Sequence, residues 1–293
     1  MTNINKKIEI KALIFLNGIR GYQIIKFLKN RIYIKKIFLS KKFLNKKILK
    51  KIKNIEIPFE VVNGINKKSI FQNMKDTDIS LVCGFPYIFS KKHLKLQKFG
   101  MINCHAGRLP QYRGGSPLNW QIINQEKKIG ISVIKMSSGI DEGEVINQKL
   151  INNKNFDIIK AHKIVNSIFP ILIFKSINDL VQKKKLKKQN NKIAKYWKQR
   201  SKKDSEFFPK IYFASHIIAM IKALQKPYPN AFFFDGIKKI SVSKASILNL
   251  KMKAGSIKYN KKTIILGCKD KSLRLTSYII NNNAKKINKK FSI

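Results

Sequence analysis

Residues 100–148 read GMINCHAGRLPQYRGGSPLNWQIINQEKKIGISVIKMSSGIDEGEVINQ. The apolar run Met101 to Cys104 has the length and composition of a short buried strand, and strand alternation points Asn103 and His105 to one face. A loop rich in Gly and Pro, Gly107 to Pro117, follows; these residues interrupt regular structure and can shape a pocket. A second strand, Gly130 to Met136, runs into the turn Ser137 to Gly143, which carries Asp141. An amide, an imidazole and a carboxylate can therefore meet at one sheet edge.

Outward from this stretch, the N-terminal half alternates strand and helix. Ile8 to Leu16 is a mainly apolar run that stops at Asn17-Gly18, and Ile19 to Lys29 then carries helical spacing of apolar residues. The pattern recurs with strands at Tyr33 to Leu39, Ile55 to Val62 and Ile79 to Gly84, each followed by a helical stretch. Such alternation predicts an α/β fold, an open and mostly parallel Rossmann-like sheet with helices on both faces. Ligands of these sheets bind beyond the carboxyl ends of the strands, which directs attention to the loops after Val82 and Ile102. The first turn, Asn17 to Gly21, lacks the GxGxxG spacing, so a nicotinamide cofactor is not expected; no phosphate-binding P-loop pattern supports ATP chemistry.

Helical periodicity from Asn155 to Lys185 leads into KKKLKKQNNKIAKYWKQRSKK, residues 183–203. A charge run of this kind reads as a solvated connector. Beyond it lie a helix near Tyr212 to Leu224 and short strand-like runs at Ala231 to Phe234, Lys239 to Ser243, Thr263 to Leu266 and Ser272 to Tyr278, the pattern of a small OB-type β-barrel-like domain. The expected organisation is a first domain over residues 1–182, a basic linker over 183–206 and a small β-rich domain over 207–293.

Composition sets outer limits. The 293 residues suffice for two domains with cores of their own, and 44% hydrophobic with 10% aromatic residues excludes a chain disordered throughout. Lys and Arg number 62 against 15 Asp and Glu, a formal charge of +47. A field of that sign attracts polyanions. The excess is mostly Lys, however, and it comes with abundant Ile and Asn, so drift toward A/T-rich codons accounts for all three together. Three widely spaced cysteines without a CxxC pair fit a reducing compartment. Together with the absence of a signal-like N-terminus and of any apolar run near membrane length, they imply a cytoplasmic protein without membrane insertion.

Asn103, His105 and Asp141 suit acyl transfer to an amine. The amide and imidazole N–H groups can donate to an oxygen that gains negative charge as the amine attacks a carbonyl. Asp141 favours the imidazolium and can take the proton shed by the amine. One His with one Asp makes no metal site, and His93, His162 and His216 lie in unrelated contexts. The same residue types also serve as a strand-end cap, a satisfied core histidine and a turn residue, and their chemistry alone does not choose between these roles.

The residues around them do. Asn103-Cys104-His105, Leu109-Pro110, Tyr112-Arg113-Gly114, Pro117 and Gly139-Ile140-Asp141-Glu142-Gly143 stand in the order of the folate-dependent formyltransferase pattern, and the chain resembles that family, which includes methionyl-tRNA formyltransferase and sugar-nucleotide N-formyltransferases. The resemblance extends weakly to Pro227-Tyr228-Pro229-Asn230-Ala231-Phe232, where Asn230 replaces a frequent Gly. It implies that Asn103, His105 and Asp141 are catalytic and that N10-formyltetrahydrofolate is the co-substrate, without a metal. It also implies that the pterin lies against Cys83, Gly84, Phe85, Tyr87 and Ile88 and against Ser138 and Ile140. Arg108, Tyr112, Arg113 and Trp120 are the candidates for acceptor contact. Two departures bear on the acceptor. Ala106-Gly107-Arg108 replaces a frequent Ser-containing loop, and Ser40 to Leu44 lacks the Gly- and Arg-rich insertion of the tRNA enzymes. Both favour a nucleotide-linked amino sugar as acceptor, with initiator methionyl-tRNA as the alternative; a homodimer is compatible with either.

Overall fold

The computed structural model describes residues 6–282. They divide into two compact units, the first comprising residues 6–117, 128–152 and 162–197 and the second residues 118–127, 153–161 and 198–282.

The first unit is built on β1 (Lys11–Leu16), α1 (Gly18–Leu28), β2 (Tyr33–Ser40), α2 (Lys46–Lys53), β3 (Phe59–Val62), α3 (Lys68–Lys75), β4 (Ile79–Cys83), α4 (Lys91–Leu94) and β5 (Gly100–His105). Its seven-stranded sheet has the order β3-β2-β1-β4-β5-β7-β8, where β7 is Lys128–Lys135 and β8 is Val145–Asn152. The five strands from β3 to β5 are parallel, and β7 and β8 join antiparallel. Strands covered on both faces need continuous apolar runs, and β1 supplies one, buried from Ala12 to Leu16. Phe15 stacks on Phe38 of β2 at 4.9 Å and meets Phe85 and Phe89 edge-on, joining the strands to the loop after β4. The strand expected from Ile55 starts only at Phe59. Glu56 has a left-handed backbone and Pro58 lacks the N–H that a strand interior needs.

Between β5 and β7 lie the two-residue strand β6 (Arg113–Gly114) and α5 (Pro117–Ile123). After β8 comes the 24-residue α6 (Ile158–Val181). By length and composition α6 could cross a bilayer, contrary to the expectation that no such segment exists. Its apolar side chains are used within the protein: Phe169, Ile173, Phe174 and Ile177 are at most 1% exposed, Phe174 meets Phe27 of α1, and Arg20 of α1 lies over the Phe169 ring.

The run expected as a solvated linker is not one over residues 187–197. Lys187 and Val145 exchange backbone hydrogen bonds, and β9 (Tyr196–Trp197) pairs in parallel with β6. Trp197 stacks on Tyr112 at 5.5 Å and donates its indole N–H to the Gln111 carbonyl. Lysine side chains dominate the composition of this run and point to solvent, while its backbone and its few amide and aromatic groups face the protein.

In the second unit, β10 (Ala231–Asp235), β11 (Lys238–Leu248), β12 (Ile257–Tyr259), β13 (Ile264–Gly267) and β14 (Ser272–Asn281) follow α7 (Ala214–Ala223) and form an antiparallel sheet of order β10-β11-β14-β13-β12. Register shifts between Val242 and Ala245 bend the long β11, curling the sheet into a half-barrel.

Candidate active site

The carboxyl end of β5 presents Asn103 and His105 on the same face, and antiparallel pairing with β7 sets them opposite Ile134 and Ser132. The turn after β7 returns Asp141 to them. Asp141 has φ +52°, an uncommon left-handed conformation for a residue with a Cβ, which aims its carboxylate back at β5. Asn103 Nδ2 donates to Asp141 Oδ1 at 3.3 Å, and His105 Nδ1 lies 3.3 Å from Asp141 Oδ2. The backbone N–H of Gly114 donates to the same Oδ2 at 2.9 Å. Three groups, two from the end of β5 and one from β6, thus converge on one carboxylate, whose side chain is 13% exposed.

His105 is 5% exposed, and its Nε2 faces the carbonyl oxygen of Tyr112. Both ring nitrogens therefore point at oxygen atoms, Nδ1 at the Asp141 carboxylate and Nε2 at the Tyr112 carbonyl. The contact with Tyr112 requires glycine at 107, because a Cβ there would sit 2.5 Å from His105 Nε2 and 2.6 Å from the Tyr112 oxygen. The loop is pinned from beneath: Ser132 Oγ donates to the Gly107 carbonyl at 2.8 Å, and Gln148 Nε2 donates to Ser132 Oγ and to the Leu109 carbonyl, each at 3.0 Å. Among the described residues, the second N–H of the Asn103 amide has no partner, so it remains available to an oxygen of a bound molecule.

Around this centre the expected folate-contact residues divide into two sets. Cys83 and Phe85 are buried, with Phe85 packed against Phe15, Tyr87 and Phe89. Gly84, Ile88, Ser138 and Ile140 are exposed, Ile88 at 80% and Ile140 at 59%. Asn17 fixes the loop by donating its backbone N–H to the Cys83 carbonyl and its side-chain amide to the Gly84 carbonyl. An exposed apolar surface with backbone groups beside it fits a flat heterocycle, whereas the Cys83 and Phe85 side chains serve the core.

The acceptor candidates need correction. Arg113 is 2% exposed and each nitrogen of its guanidinium donates a hydrogen bond: Nε to Gln189 Oε1 at 3.0 Å, Nη1 to Tyr196 Oη at 2.8 Å and Nη2 to Asn191 Oδ1 at 2.8 Å. Tyr112, 3% exposed, is sandwiched by the Trp197 stack. Neither side chain faces an open site, because residues 187–197 cover both. Arg108 is half-buried and lines a cavity of about 400 Å³ with Gln111, Gln148 and Lys187. Trp120 belongs to the second unit, where its N–H donates to the Lys198 carbonyl and Arg200 lies over its ring at 4.9 Å.

Two other histidines are taken up by contacts within the fold. His93 is buried on the Ile65 carbonyl, and burial lowers its pKa. His162 is held down to about 4 by burial and by the neighbouring Arg20 guanidinium, which lies 3.3 Å from its Nδ1. Among the described residues, no three His, Cys, Asp or Glu side chains gather as metal ligands. Sequence reasoning passed over Gln189, whose Nε2 donates to the carbonyls of Asp141 at 2.8 Å and Gly143 at 2.7 Å. It stands inside a lysine run, where no periodicity marks it.

The family model described as formyl transferase matches residues 63–159, and that of the formyl transferase C-terminal domain matches residues 212–290. The bifunctional polymyxin resistance protein ArnA of Wigglesworthia glossinidia brevipalpis is 30% identical over 239 residues, 78% of this chain but 35% of its own length. The methionyl-tRNA formyltransferase of Orientia tsutsugamushi (strain Boryong) is 30% identical over 206 residues, 69% of this chain and 66% of its own. The chain thus spans about a third of the first relative and about two thirds of the second. Among solved structures, WlaRD, a sugar 3N-formyl transferase crystallised with dTDP and 5-N-formyl-THF, superposes with a TM-score of 0.69 over 91% of this chain and 97% of its own, at 18% identity, which establishes a shared fold.

Proposed function

Because the chain belongs to the formyl transferase family, we propose that it transfers a formyl group from N10-formyltetrahydrofolate to the amine of an acceptor. The observation that carries this reading is the convergence of Asn103 and His105 on the Asp141 carboxylate at 3.3 Å. The exposed Gly84, Ile88, Ser138 and Ile140 would hold the carrier, which supplies the formyl carbon when bound.

In the transfer, a bond forms from the acceptor nitrogen to the formyl carbon, and the bond from the carrier nitrogen to that carbon breaks. Negative charge develops on the formyl oxygen. The second N–H of Asn103 donates to it in a largely buried site, where such a bond counts for more than in water. Asp141 accepts the proton that the attacking amine loses, directly or through water, and passes it on to the leaving nitrogen, which regenerates the carboxylate. The Gly114 N–H and His105 keep the carboxylate aimed until then. Because His105 spends both ring nitrogens on Asp141 and Tyr112, the developing oxyanion takes its direct hydrogen bond from Asn103.

For the acceptor, the first reading is a nucleotide-linked amino sugar. It is supported by the short connection after β2, where Ser40 passes directly into the single turn Lys41–Phe43 and then Asn45 caps α2, with no inserted loop. WlaRD, similar over nearly its whole length, acts on a sugar. Methionyl-tRNA is the second reading, supported by the Orientia relative and by the +47 charge, which would draw RNA phosphates to the surface. Three buried free cysteines support a reducing, cytoplasmic setting for either.

The test offers N10-formyltetrahydrofolate with a panel of nucleotide-linked 3- and 4-amino sugars and, separately, charged initiator tRNA. Tetrahydrofolate release with a sugar supports the first reading. Turnover with methionyl-tRNA alone transfers the assignment to the second, and no release with any amine overturns formyl transfer.

A further inference from the structure

We infer that Gln189 is a positioning residue for Asp141: it does not touch the reacting groups, yet it sets where the proton-accepting carboxylate stands. The inference rests on the reading of Asp141 given above. Asp141 needs a left-handed backbone, φ +52°, to return its carboxylate to Asn103 and His105. For a non-glycine residue that conformation costs roughly 1–2 kcal/mol and persists only where surrounding contacts over-determine it. Gln189 supplies those contacts. Its Nε2 donates to the Asp141 carbonyl at 2.8 Å and to the Gly143 carbonyl at 2.7 Å, bracketing the turn on both sides of Glu142.

The orientation of the Gln189 amide is not ambiguous. Its Oε1 accepts from Arg113 Nε at 3.0 Å, and a flipped amide would set oxygen against two carbonyls and N–H₂ against a guanidinium. Arg113, almost wholly buried, therefore locks the amide, and the amide locks the turn. The outer end of the turn is tied to the same network, since Glu142 accepts from Tyr196 Oη and lies 3.8 Å from Arg113 Nη1. The carboxylate itself receives the Gly114 N–H, and Gly114 pairs with Trp197. Residues 189–197 thus form a clamp with contacts on the Asp141 turn, on the strand that hydrogen-bonds its side chain and on residues 110–112 just before that strand. A segment that was merely a connector would have no reason to place an amide at this one point.

Two variants of the full chain separate positioning from simple support. Gln189→Glu keeps the bond to Arg113 and makes it an ion pair, but it replaces both donors to the turn with oxygen. Gln189→Leu removes everything. Positioning predicts that Gln189→Glu retains a melting temperature within a few degrees of the wild type while its kcat falls roughly 10- to 100-fold, the range set by small misplacements of a catalytic group. Its KM for folate and acceptor should change less than about threefold, because no substrate contact is altered. Hydrogen exchange of the peptide containing residues 137–143 should quicken at least about tenfold in both variants. Wild-type kcat in Gln189→Glu overturns the inference, as does unchanged exchange in that peptide. If the wild type itself transfers no formyl group, the functional reading fails, and the exchange measurement alone still decides whether Gln189 holds the turn.

Discussion

Arg113→Lys preserves charge and nearly preserves length, yet it should release residues 187–197 from the body of the first unit. The guanidinium holds three donor nitrogens in fixed directions, and each meets a different acceptor of that run: Gln189 Oε1, Asn191 Oδ1 and Tyr196 Oη. A lysine ammonium at the end of a flexible stem can reach one of them. Two charge-assisted bonds are lost, each worth about 1.5–3 kcal/mol when both partners are buried. Asn191 and Tyr196 are exposed residues and regain water, so the low end applies, about 2–3 kcal/mol in total. At 1.4 kcal/mol per factor of ten, the open state of the run rises roughly 30- to 150-fold. Trypsin reads this directly, because Lys187, Lys188, Lys192, Lys195 and Lys198 are exposed side chains on a backbone that must open to be cut. The wild type should be cleaved slowly between residues 187 and 198, and Arg113→Lys should be cleaved faster by about that factor, with little change elsewhere. A wild-type chain cut there at once, or a variant cut at the wild-type rate, would refute the reasoning and restore the solvated linker.

Two further outcomes follow from single side chains. His162 is held neutral in the fold, with its pKa near 4 against an ordinary value of 6.5, so its contribution is intact above pH 6.5 and is lost as pH falls toward 4. His162→Gln keeps an acceptor for Arg20 and does not titrate, so urea unfolding of the variant should lose about 2 kcal/mol less between pH 6.5 and pH 4 than the wild type, and parallel losses would exclude this role. Gly107→Ala forces a Cβ between His105 Nε2 and the Tyr112 carbonyl; folding should survive a penalty of about 1–3 kcal/mol while turnover falls more than about 100-fold, and wild-type turnover would show that the His105 contact is dispensable.

Much of the first unit could be read from strand alternation alone. Parallel strands buried on both faces must be continuously apolar, so β1, β2, β4 and β5 stand out as runs. Asn103 and His105 are two residues apart on a strand, which places them on one face whatever the tertiary context. The return of Asp141 to that face depends on a turn whose Gly139 and Gly143 are visible in the sequence. Residues 187–197 were not legible, because their role depends on Arg113, some 76 residues earlier, and no local pattern reports a partner at that distance. The same gap explains why Tyr112 and Arg113 read as acceptor contacts. In isolation they are an aromatic and a cation in a loop, and only the tertiary fold shows that Trp197 and Gln189 already occupy them. α6 is legible as a helix, from Asn155 to Lys185, but its membrane-compatible apolar character is not, because lysine and polar residues interrupt the apolar runs.

The central claim is that one carboxylate, held by an amide, an imidazole and a backbone N–H, takes the proton in formyl transfer to an amine. Its most direct test is the rate of tetrahydrofolate release under saturating substrates in Asp141→Asn, which keeps size and much of the hydrogen bonding but cannot accept a proton. A fall of roughly 100- to 10,000-fold, with folate still bound and the fold intact, is what this account predicts. A variant that releases tetrahydrofolate at close to the wild-type rate would contradict it.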